Sequence, residues 1–235
     1  MVPARHLMAA LAAAVLTLGL AGCDPNALSP GGTTKVTDPA ANAHEPAGTV
    51  DAVTAKAKLA ALVEAPRAGL EGYERDCDNG EACLFGQPWL DVDGDGCDQR
   101  SQVLARDLLD VVRKPGRCSV TSGSLHDPYT GQVITSVSKI QIDHVVPLAE
   151  MWRSGARAWT TDQRAQAANN LTNLLAVQGK TYHSKGDKTP DAWLPPNTAF
   201  HCTYARIYVT VKSAYSLTVT APERQALANA LAACG

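Results

Sequence analysis

The sequence predicts an α+β fold, because helical and strand-like hydrophobic patterns follow one another without a regular strand–helix–strand alternation. The chain has 235 residues, 45% of them hydrophobic, which is enough for one domain of ordinary size plus extensions. Six cysteines beyond the leader segment are typical of an exported domain stabilised by disulfides. We therefore expect one mixed, disulfide-stabilised domain.

The first 22 residues predict an export signal that is not part of the fold. Basic residues precede an apolar run over 7–20, and this run is too short for a comfortable membrane span. Its end, LAGC, resembles a bacterial lipobox, and by that resemblance Cys23 would carry a lipid anchor. A plain secretory signal is the alternative. We expect an exported protein that is either anchored on the outer face of the cytoplasmic membrane or secreted.

Composition and periodicity divide the first half of the mature chain. Residues 23–50, rich in Pro, Gly, Ala and Thr, predict a flexible tether, so the domain is expected to occupy 51–235. Apolar spacing predicts helices over 51–65 and 101–113. The stretches 118–125 and 132–136 flank the turn sequence HDPYTG and predict a hairpin.

The second half also alternates between short strands and helices. Apolar runs predict strands at 140–142 and 174–177, while 147–159 and 160–170 predict two helical pieces. A further helix is expected near 199–214. Thr220 and Glu223 form a capping-box pattern that predicts the start of the last helix.

The six remaining cysteines predict three disulfides, although six cysteines permit fifteen pairings. Zinc binding by these thiols is disfavoured, because no CxxC pair exists and the spacings are irregular. Pairing neighbours along the chain gives Cys77–Cys83, Cys97–Cys118 and Cys202–Cys234.

Charge is distributed unevenly, although the formal net charge is only -2. From Lys139 onward there are ten basic against six acidic residues, whereas residues 24–138 hold ten against seventeen. A polyanion would therefore be drawn to the second half. The four tryptophans are expected to be core anchors rather than base-stacking platforms, because aromatic residues make up only 5% of the chain.

Three pieces of the second half carry the chemistry together. Asp143 and His144 stand side by side in SKIQIDHVVPLAE, Asn173 follows in NNLTNLLAV, and His183 in TYHSKGDK. Phosphodiester hydrolysis needs a metal held by a carboxylate and another ligand, and a neutral histidine that takes a proton from water. Adjacent strand residues point to opposite faces, so Asp143 and His144 can serve one cleft only where the strand ends.

These segments resemble the HNH endonucleases of the His-Me finger, or ββα-metal, superfamily. Further segments of the chain resemble exported bacterial members of that family, namely FGQPWLDVDGDGCDQRSQVLARDL, GSLHDPYTG, DHVVPLAEMWRSGARAWT, NLLAV, SKGDKTPDAWLPP and CTYARIYVTVK. The resemblance implies a ββα-metal core around 132–188 wrapped by helices. It also implies a monomeric, metal-dependent endonuclease that cleaves DNA, with RNA as a second substrate, outside the cytoplasmic membrane.

The resemblance assigns a role to each matching residue. Asp143 and His183 would hold one divalent metal, His144 would be the general base, and Asn173 would brace the loop that orients it. Lys185, two residues past His183, is by its position and charge a candidate phosphate contact, and a solvated lysine is the alternative. Mg²⁺ or Mn²⁺ is expected, while His183, where many relatives have Asn, makes Zn²⁺ or Ni²⁺ more competitive.

The stretch DVDGDGCDQRSQ starts like a calcium loop. Asp91, Asp93 and Asp95 alternate before a glycine, but Gln102 stands at the twelfth position, where a bidentate Glu is expected. Calcium at 91–96 would suit the other class of function that we consider, a non-catalytic calcium-binding or interaction module of the cell envelope.

A rigid turn that positions Arg100 is the alternative interpretation of this stretch. In a nuclease, Arg100 would reach the cleft and stabilise phosphate charge. A salt bridge from Arg100 to Asp98 or Asp107 is the structural alternative.

Overall fold

The computed structural model describes residues 45–74 and 83–234, so the export signal, Cys23 and the tether up to residue 44 lie outside it. Helices and antiparallel strands confirm the predicted α+β class. No helix within these two ranges is long and apolar enough to cross a membrane. In chain order the elements are α1 (Ala52–Ala61), α2 (Gln99–Asp107), β1 (Leu108–Arg113), β2 (Val120–His126), β3 (Val133–Ile134), β4 (Ile140–His144), α3 (Leu148–Ser154), α4 (Thr161–Ala168), β5 (Leu174–Gln178), α5 (Gly179–Lys185), α6 (His201–Ala214) and α7 (Ala221–Ala232).

The first and last helices begin at capping residues that are visible in the sequence. The Asp51 carboxylate accepts a hydrogen bond from Thr54 N at 2.9 Å, which satisfies a backbone donor of the first turn of α1. At α7 both bonds of the capping box between Thr220 and Glu223 are present, which confirms the predicted start of the last helix.

A three-stranded antiparallel sheet has the order β1-β2-β3. Leu125 lies opposite Ile134 and His126 opposite Val133, which confirms the hairpin predicted around HDPYTG. The prediction of a helix over 101–113 is wrong in its second half, because residues 108–113 form β1 and pair with β2.

The change from helix to strand at Asp107 has a physical reason in the neighbouring strand. The buried Asp107 carboxylate accepts a hydrogen bond from Ala176 N at 2.8 Å, and Arg106 Nη2 donates to Leu174 O at 2.6 Å. These two side chains satisfy backbone groups of β5 that have no strand partner on that side. The end of α2 is therefore fixed against β5, and Leu108 continues as a strand opposite Leu125.

The second sheet consists of β4 and β5, which pair antiparallel from Ile140 opposite Gln178 to His144 opposite Leu174. Helix α5 follows β5 directly and contacts both strands. This part of the chain thus contains two paired strands and a helix that begins where β5 ends.

Two hydrophobic clusters fill the domain. The larger packs α1, α3, α6 and α7 around one side of the β4–β5 unit, and the smaller lies between α2 and the two sheets. Trp152 is buried in the larger cluster, as predicted for a core anchor, and Trp159 and Trp193 are half-buried against it. Trp89 is also half-buried, but it packs against the smaller cluster.

Disulfides join Cys97 to Cys118 and Cys202 to Cys234, the same two pairs that neighbour pairing gives. Cys83 also takes part in a disulfide. Its expected partner, Cys77, lies outside the described residues.

Two residues before the predicted domain boundary at residue 51 contact helix α6. The Glu45 carboxylate accepts two hydrogen bonds of 2.7 Å from the Arg206 guanidinium on α6. Val50 O accepts from Arg206 Nε at 2.8 Å, and Val50 N donates to Thr210 Oγ1 at 3.1 Å. Residues Glu45 and Val50 therefore contact α6, although both lie within the range predicted for the tether.

Candidate active site

Asp143 and His144 close β4, and the end of that strand brings both residues to one cleft. Asp143 lies opposite Leu175 and His144 opposite Leu174. Their side chains leave the strand in different directions, Asp143 toward Tyr129 and Lys185, and His144 toward the end of α4. Both nevertheless line a cleft of about 230 Å³, as the prediction of a strand end required.

Asn173 clamps the chain that leaves His144. Its side-chain oxygen accepts from Val146 N at 2.8 Å, and its Nδ2 donates to Val146 O at 3.0 Å. Its own carbonyl accepts from Val145 N at 2.8 Å. Asn173 is fully buried, so these bonds are formed away from water. Asn173 thus holds both residues after His144, Val146 through its side chain and Val145 through its main-chain carbonyl.

The hydrogen bond to Ala168 O selects the tautomer of His144. Its Nε2 lies 2.7 Å from Ala168 O, and a carbonyl oxygen can only accept. Nε2 is therefore the protonated nitrogen, and in the neutral ring the lone pair lies on Nδ1. His144 is half-buried and lines the cleft, so its ring is fixed and oriented there.

Asp143 belongs to a buried polar network. Lys185 Nζ lies 2.9 Å from Asp143 Oδ2 and donates to Asp143 Oδ1 at 3.0 Å, and Tyr129 donates to Oδ2 at 2.5 Å. Burial and the Asp143 carboxylate hold the pKa of Tyr129 well above its usual range, so the phenol stays a donor. Lys185 also donates to His144 O at 2.8 Å. One ammonium thus fixes two consecutive residues of β4.

Sequence reasoning assigned no role to Tyr129. It lies in the turn between β2 and β3, inside the HDPYTG segment that carried part of the resemblance. Its ring is fully buried and packs edge-on against Trp193 and Tyr204. That turn segment was the available signal, but only the fold shows that its tyrosine reaches Asp143.

Lys185 was predicted to contact phosphate, and the structure corrects this. The side chain is fully buried, and its ammonium donates to Asp143 and to His144 O. An ammonium held inside the protein by these acceptors does not face a substrate in solvent. Lys185 is therefore a positioning residue.

Arg100 was predicted to reach the cleft, and the structure places it elsewhere. Its Nη2 lies 3.4 Å from Ile140 O, at the opposite end of β4 from His144. Four residues of strand separate those ends by about 13 Å. Asp107 pairs with Arg106 instead. Arg100 therefore does not reach the cleft as predicted. It also does not form the alternative salt bridge to Asp107.

His183 was predicted to share a metal with Asp143. It is exposed on α5, whereas the α5 side chain that lines the cleft is that of Tyr182. The Asp143 carboxylate meanwhile accepts from Lys185 and Tyr129. His183 is thus not among the residues that line the cleft with Asp143, and its part in the metal site implied by the resemblance stays a prediction.

Asp187 is the second carboxylate that lines the cleft. Its Oδ2 accepts from Arg153 Nη1 at 2.9 Å. Both acidic side chains that line the cleft among the described residues are thus paired with a cation, Asp143 with Lys185 and Asp187 with Arg153. A phosphodiester that enters would not meet an uncompensated negative charge from either carboxylate.

Asp91, Asp93 and Asp95 lie together, as the calcium-loop interpretation expects, with one oxygen from each within 4.8 Å of the others. Their oxygens also accept bonds from their own loop and from α2. Asp91 accepts from Gly94 N and Gly96 N, and Asp93 from the Gln102 amide. Gln102, the departure from the calcium pattern, therefore ties the loop to α2.

Comparison with known proteins points to one family. The family described as GmrSD restriction endonucleases, C-terminal domain, matches residues 98–230, more than half of the chain. A protein of the fungus Arthroderma benhamiae, named "Uncharacterized secreted protein", is 42% identical over 185 residues, which cover 78% of this chain and 86% of that protein. No solved structure matches the chain. This relative is a fungal secreted protein, and the resemblance to the exported bacterial type stays a prediction.

Proposed function

Because the chain belongs to the family of GmrSD restriction endonuclease C-terminal domains, we propose that it is an endonuclease of the HNH type that hydrolyses phosphodiester bonds of DNA, with RNA as a second substrate. The family makes the domain a nuclease type. The observation that supports the HNH type is the pair of hydrogen bonds between the Asn173 side chain and Val146. Val146 lies two residues after His144, whose tautomer is fixed by Ala168 O.

His144 is the general base of the proposed reaction. With Nε2–H bonded to Ala168 O, Nδ1 accepts the proton of a water molecule as the water oxygen attacks phosphorus in line. The bond from phosphorus to the leaving sugar oxygen breaks on the opposite side, and that oxygen takes up a proton from solvent. The proton held by His144 then returns to solvent.

The neighbouring residues orient this base and bind no substrate themselves. Asn173 fixes the backbone after His144, and Lys185 fixes the His144 carbonyl together with Asp143. Preorganised groups of this kind do not need to rearrange during the reaction, and misplacement by about 1 Å can cost about 100-fold in rate. The buried network is thus required for activity because it holds the His144 imidazole in position.

Nucleases of this type usually use a divalent metal, and we expect the same requirement here, with Mg²⁺ or Mn²⁺ as the first candidates. Such an ion neutralises charge that develops on phosphate oxygens. Asp143, which lines the cleft, would hold such an ion through its carboxylate, whereas His183 is exposed and is not among the residues that line the cleft.

We also propose that the protein acts outside the cytoplasmic membrane, as the name of the fungal relative and the leader sequence support. Lipidation of Cys23 would hold it at the membrane surface. Fractionation of cells that express wild type or Cys23→Ala tests this. Release of the variant into the soluble fraction is expected, and a variant that stays wholly in the membrane fraction contradicts the anchor.

The cluster of Asp91, Asp93 and Asp95 supports a second candidate function, a non-catalytic module of the cell envelope that binds calcium. The two candidates differ in their response to metals. Calcium would raise the thermal stability of such a module, and no metal would give cleavage.

One experiment separates the two functions. Purified, oxidised protein is incubated with supercoiled DNA in parallel with Mg²⁺, Mn²⁺, Zn²⁺, Ni²⁺ or chelator, and a thermal melt with and without Ca²⁺ is recorded. Nicking that a chelator prevents supports the endonuclease. Intact DNA under every metal contradicts it and favours the module.

A further inference from the structure

A second, smaller cleft opens beside His144. Its walls are the segment 85–89, the start of α3 and the end of α4. His144 and Leu148 line this cleft and also the first one, so the two clefts meet at the imidazole. Whatever occupies the second cleft is therefore adjacent to the group that reacts at His144.

The chemistry of the second cleft differs from that of the first. Its apolar walls are Phe85, Pro88, Trp89 and Leu148, and among the described residues that line it none is a lysine, arginine, aspartate or glutamate. Phosphate and sugar would find no charged partner among these residues. A flat, uncharged group with polar edges fits them, because aromatic faces stack on it and amides bond to its edge.

Asn169 supplies such an amide at the end of α4. It is 2% exposed and lines the second cleft. Its Nδ2 donates to Ala165 O at 3.0 Å, which fixes the plane of the amide. The carbonyl oxygen of this amide is then the acceptor for a ring N–H or an exocyclic amine.

Trp89 is held in an unusual way. Its φ is 59°, in the left-handed region that bulky residues rarely adopt. The indole is half-buried and packs on the side of the smaller core cluster. An anchored ring in a strained backbone conformation is typical of a residue whose position serves binding. This placement departs from the expectation that Trp89 is a core anchor only.

We propose that this second cleft binds the base of the nucleotide next to the scissile phosphate, with Trp89 as its stacking platform. The inference rests on the proposed nuclease function, and it names the part of the substrate that the site recognises. The phosphate lies at His144, and the neighbouring base turns into the second cleft. The preferred substrate is then a single strand or an opened end, because a stacked base inside a duplex cannot reach Trp89.

The cleavage test compares Trp89→Ala and Trp89→Phe with Trp159→Ala, which removes a half-buried tryptophan elsewhere. The substrates are a single-stranded oligonucleotide and methyl p-nitrophenyl phosphate, a phosphodiester without a base. Trp89→Ala is expected to raise KM for the oligonucleotide by about 5- to 100-fold relative to the base-free diester, while Trp89→Phe retains most of the affinity. An equal loss on both substrates, or the same loss in Trp159→Ala, overturns the proposal.

A binding test keeps the outcome independent of catalysis. Affinities of the His144→Ala protein and of His144→Ala/Trp89→Ala for a fluorescein-labelled single strand and for its abasic counterpart are measured by anisotropy. Tighter binding of the strand with bases, lost when Trp89 is replaced, supports the base site even if no cleavage is found. Equal binding of both strands overturns the base site even if the wild-type protein cleaves DNA.

Discussion

Lys185 Nζ lies 2.9 Å from Asp143 Oδ2, and both side chains are almost fully buried. The same ammonium donates to His144 O at 2.8 Å. A buried pair of this kind costs desolvation of both ions, and its removal on one side leaves the other charge uncompensated. The pair therefore links the stability of the β4–α5 contact to the position of the candidate base.

Lys185→Met is expected to lower the free energy of unfolding by about 3–5 kcal/mol, because the Asp143 carboxylate stays buried without its cation. Urea denaturation followed by circular dichroism measures this. Lys188→Met is the matched control, since Lys188 is an exposed lysine at the same helix end that donates to Ser184 O. A loss below about 1 kcal/mol for Lys185→Met would contradict the structural role of the pair.

Asn173→Ala should affect both stability and cleavage. The variant leaves Val146 N and Val146 O buried without partners, which costs about 1–3 kcal/mol for each group. Cleavage should fall by about 100-fold because the segment that orients His144 loosens. Plasmid nicking and urea denaturation are measured together, with Asn229→Ala on the exposed side of α7 as the control. Full cleavage by Asn173→Ala would refute the bracing role.

The sequence predicted the order of helices and strands after residue 118, because capping residues, turn residues and apolar periods there agree. It failed at 108–113, where a helical pattern is overridden by pairing with β2 and by the bonds of Arg106 and Asp107 to β5. Both the pairing with β2 and the bonds to β5 involve residues outside 101–113, so the pattern within that segment does not reveal them.

Part of the candidate site was also visible in the sequence. Asp143, His144 and Asn173 lie together, because Asp143 and His144 end β4 and Asn173 directly precedes its partner strand β5. The structure differs from the expectation for Lys185 and His183, because the packing of a seven-residue helix decides which of its side chains is buried. Charge and spacing do not determine how a short helix is rotated about its axis. In α5, Lys185 is buried and His183 is exposed.

His183→Ala should retain cleavage within about threefold of wild type, because His183 is exposed and does not line the cleft. The same metal should support the reaction at a similar concentration. Rates on supercoiled DNA across a metal titration test this. Loss of cleavage that high metal concentrations restore would return His183 to the ligand set.

Glu150 lies in a buried cluster in which Lys212 Nζ is 2.8 Å from Glu150 Oε1 and 2.7 Å from Glu223 Oε1. Burial, and then repulsion from Glu223, raise the pKa of Glu150 against the attraction of Lys212 and Arg67. The folded state therefore binds more protons than the unfolded state between the two pKa values of this carboxyl. Its contribution to stability falls as pH rises through that window.

The unfolding free energy of wild type relative to Glu150→Gln should therefore decrease as pH rises from about 4 toward neutrality. Urea denaturation of both proteins at a series of pH values measures this difference, with Glu64→Gln at a half-exposed carboxyl as the surface control. A difference that grows with pH would mean that the attraction of Lys212 and Arg67 outweighs burial, and that the pKa of Glu150 is lowered rather than raised.

The central claim is that His144 takes the proton of the attacking water, and the most direct measurement is nicking of supercoiled DNA by His144→Ala. Removal of a general base lowers the rate by about 10²–10⁴-fold, while the thermal transition should change little because the imidazole is only half-buried. His126→Ala, at an exposed histidine on β2, is the control and should nick as wild type does. Nicking by His144→Ala at the wild-type rate would contradict the role of His144 as the base.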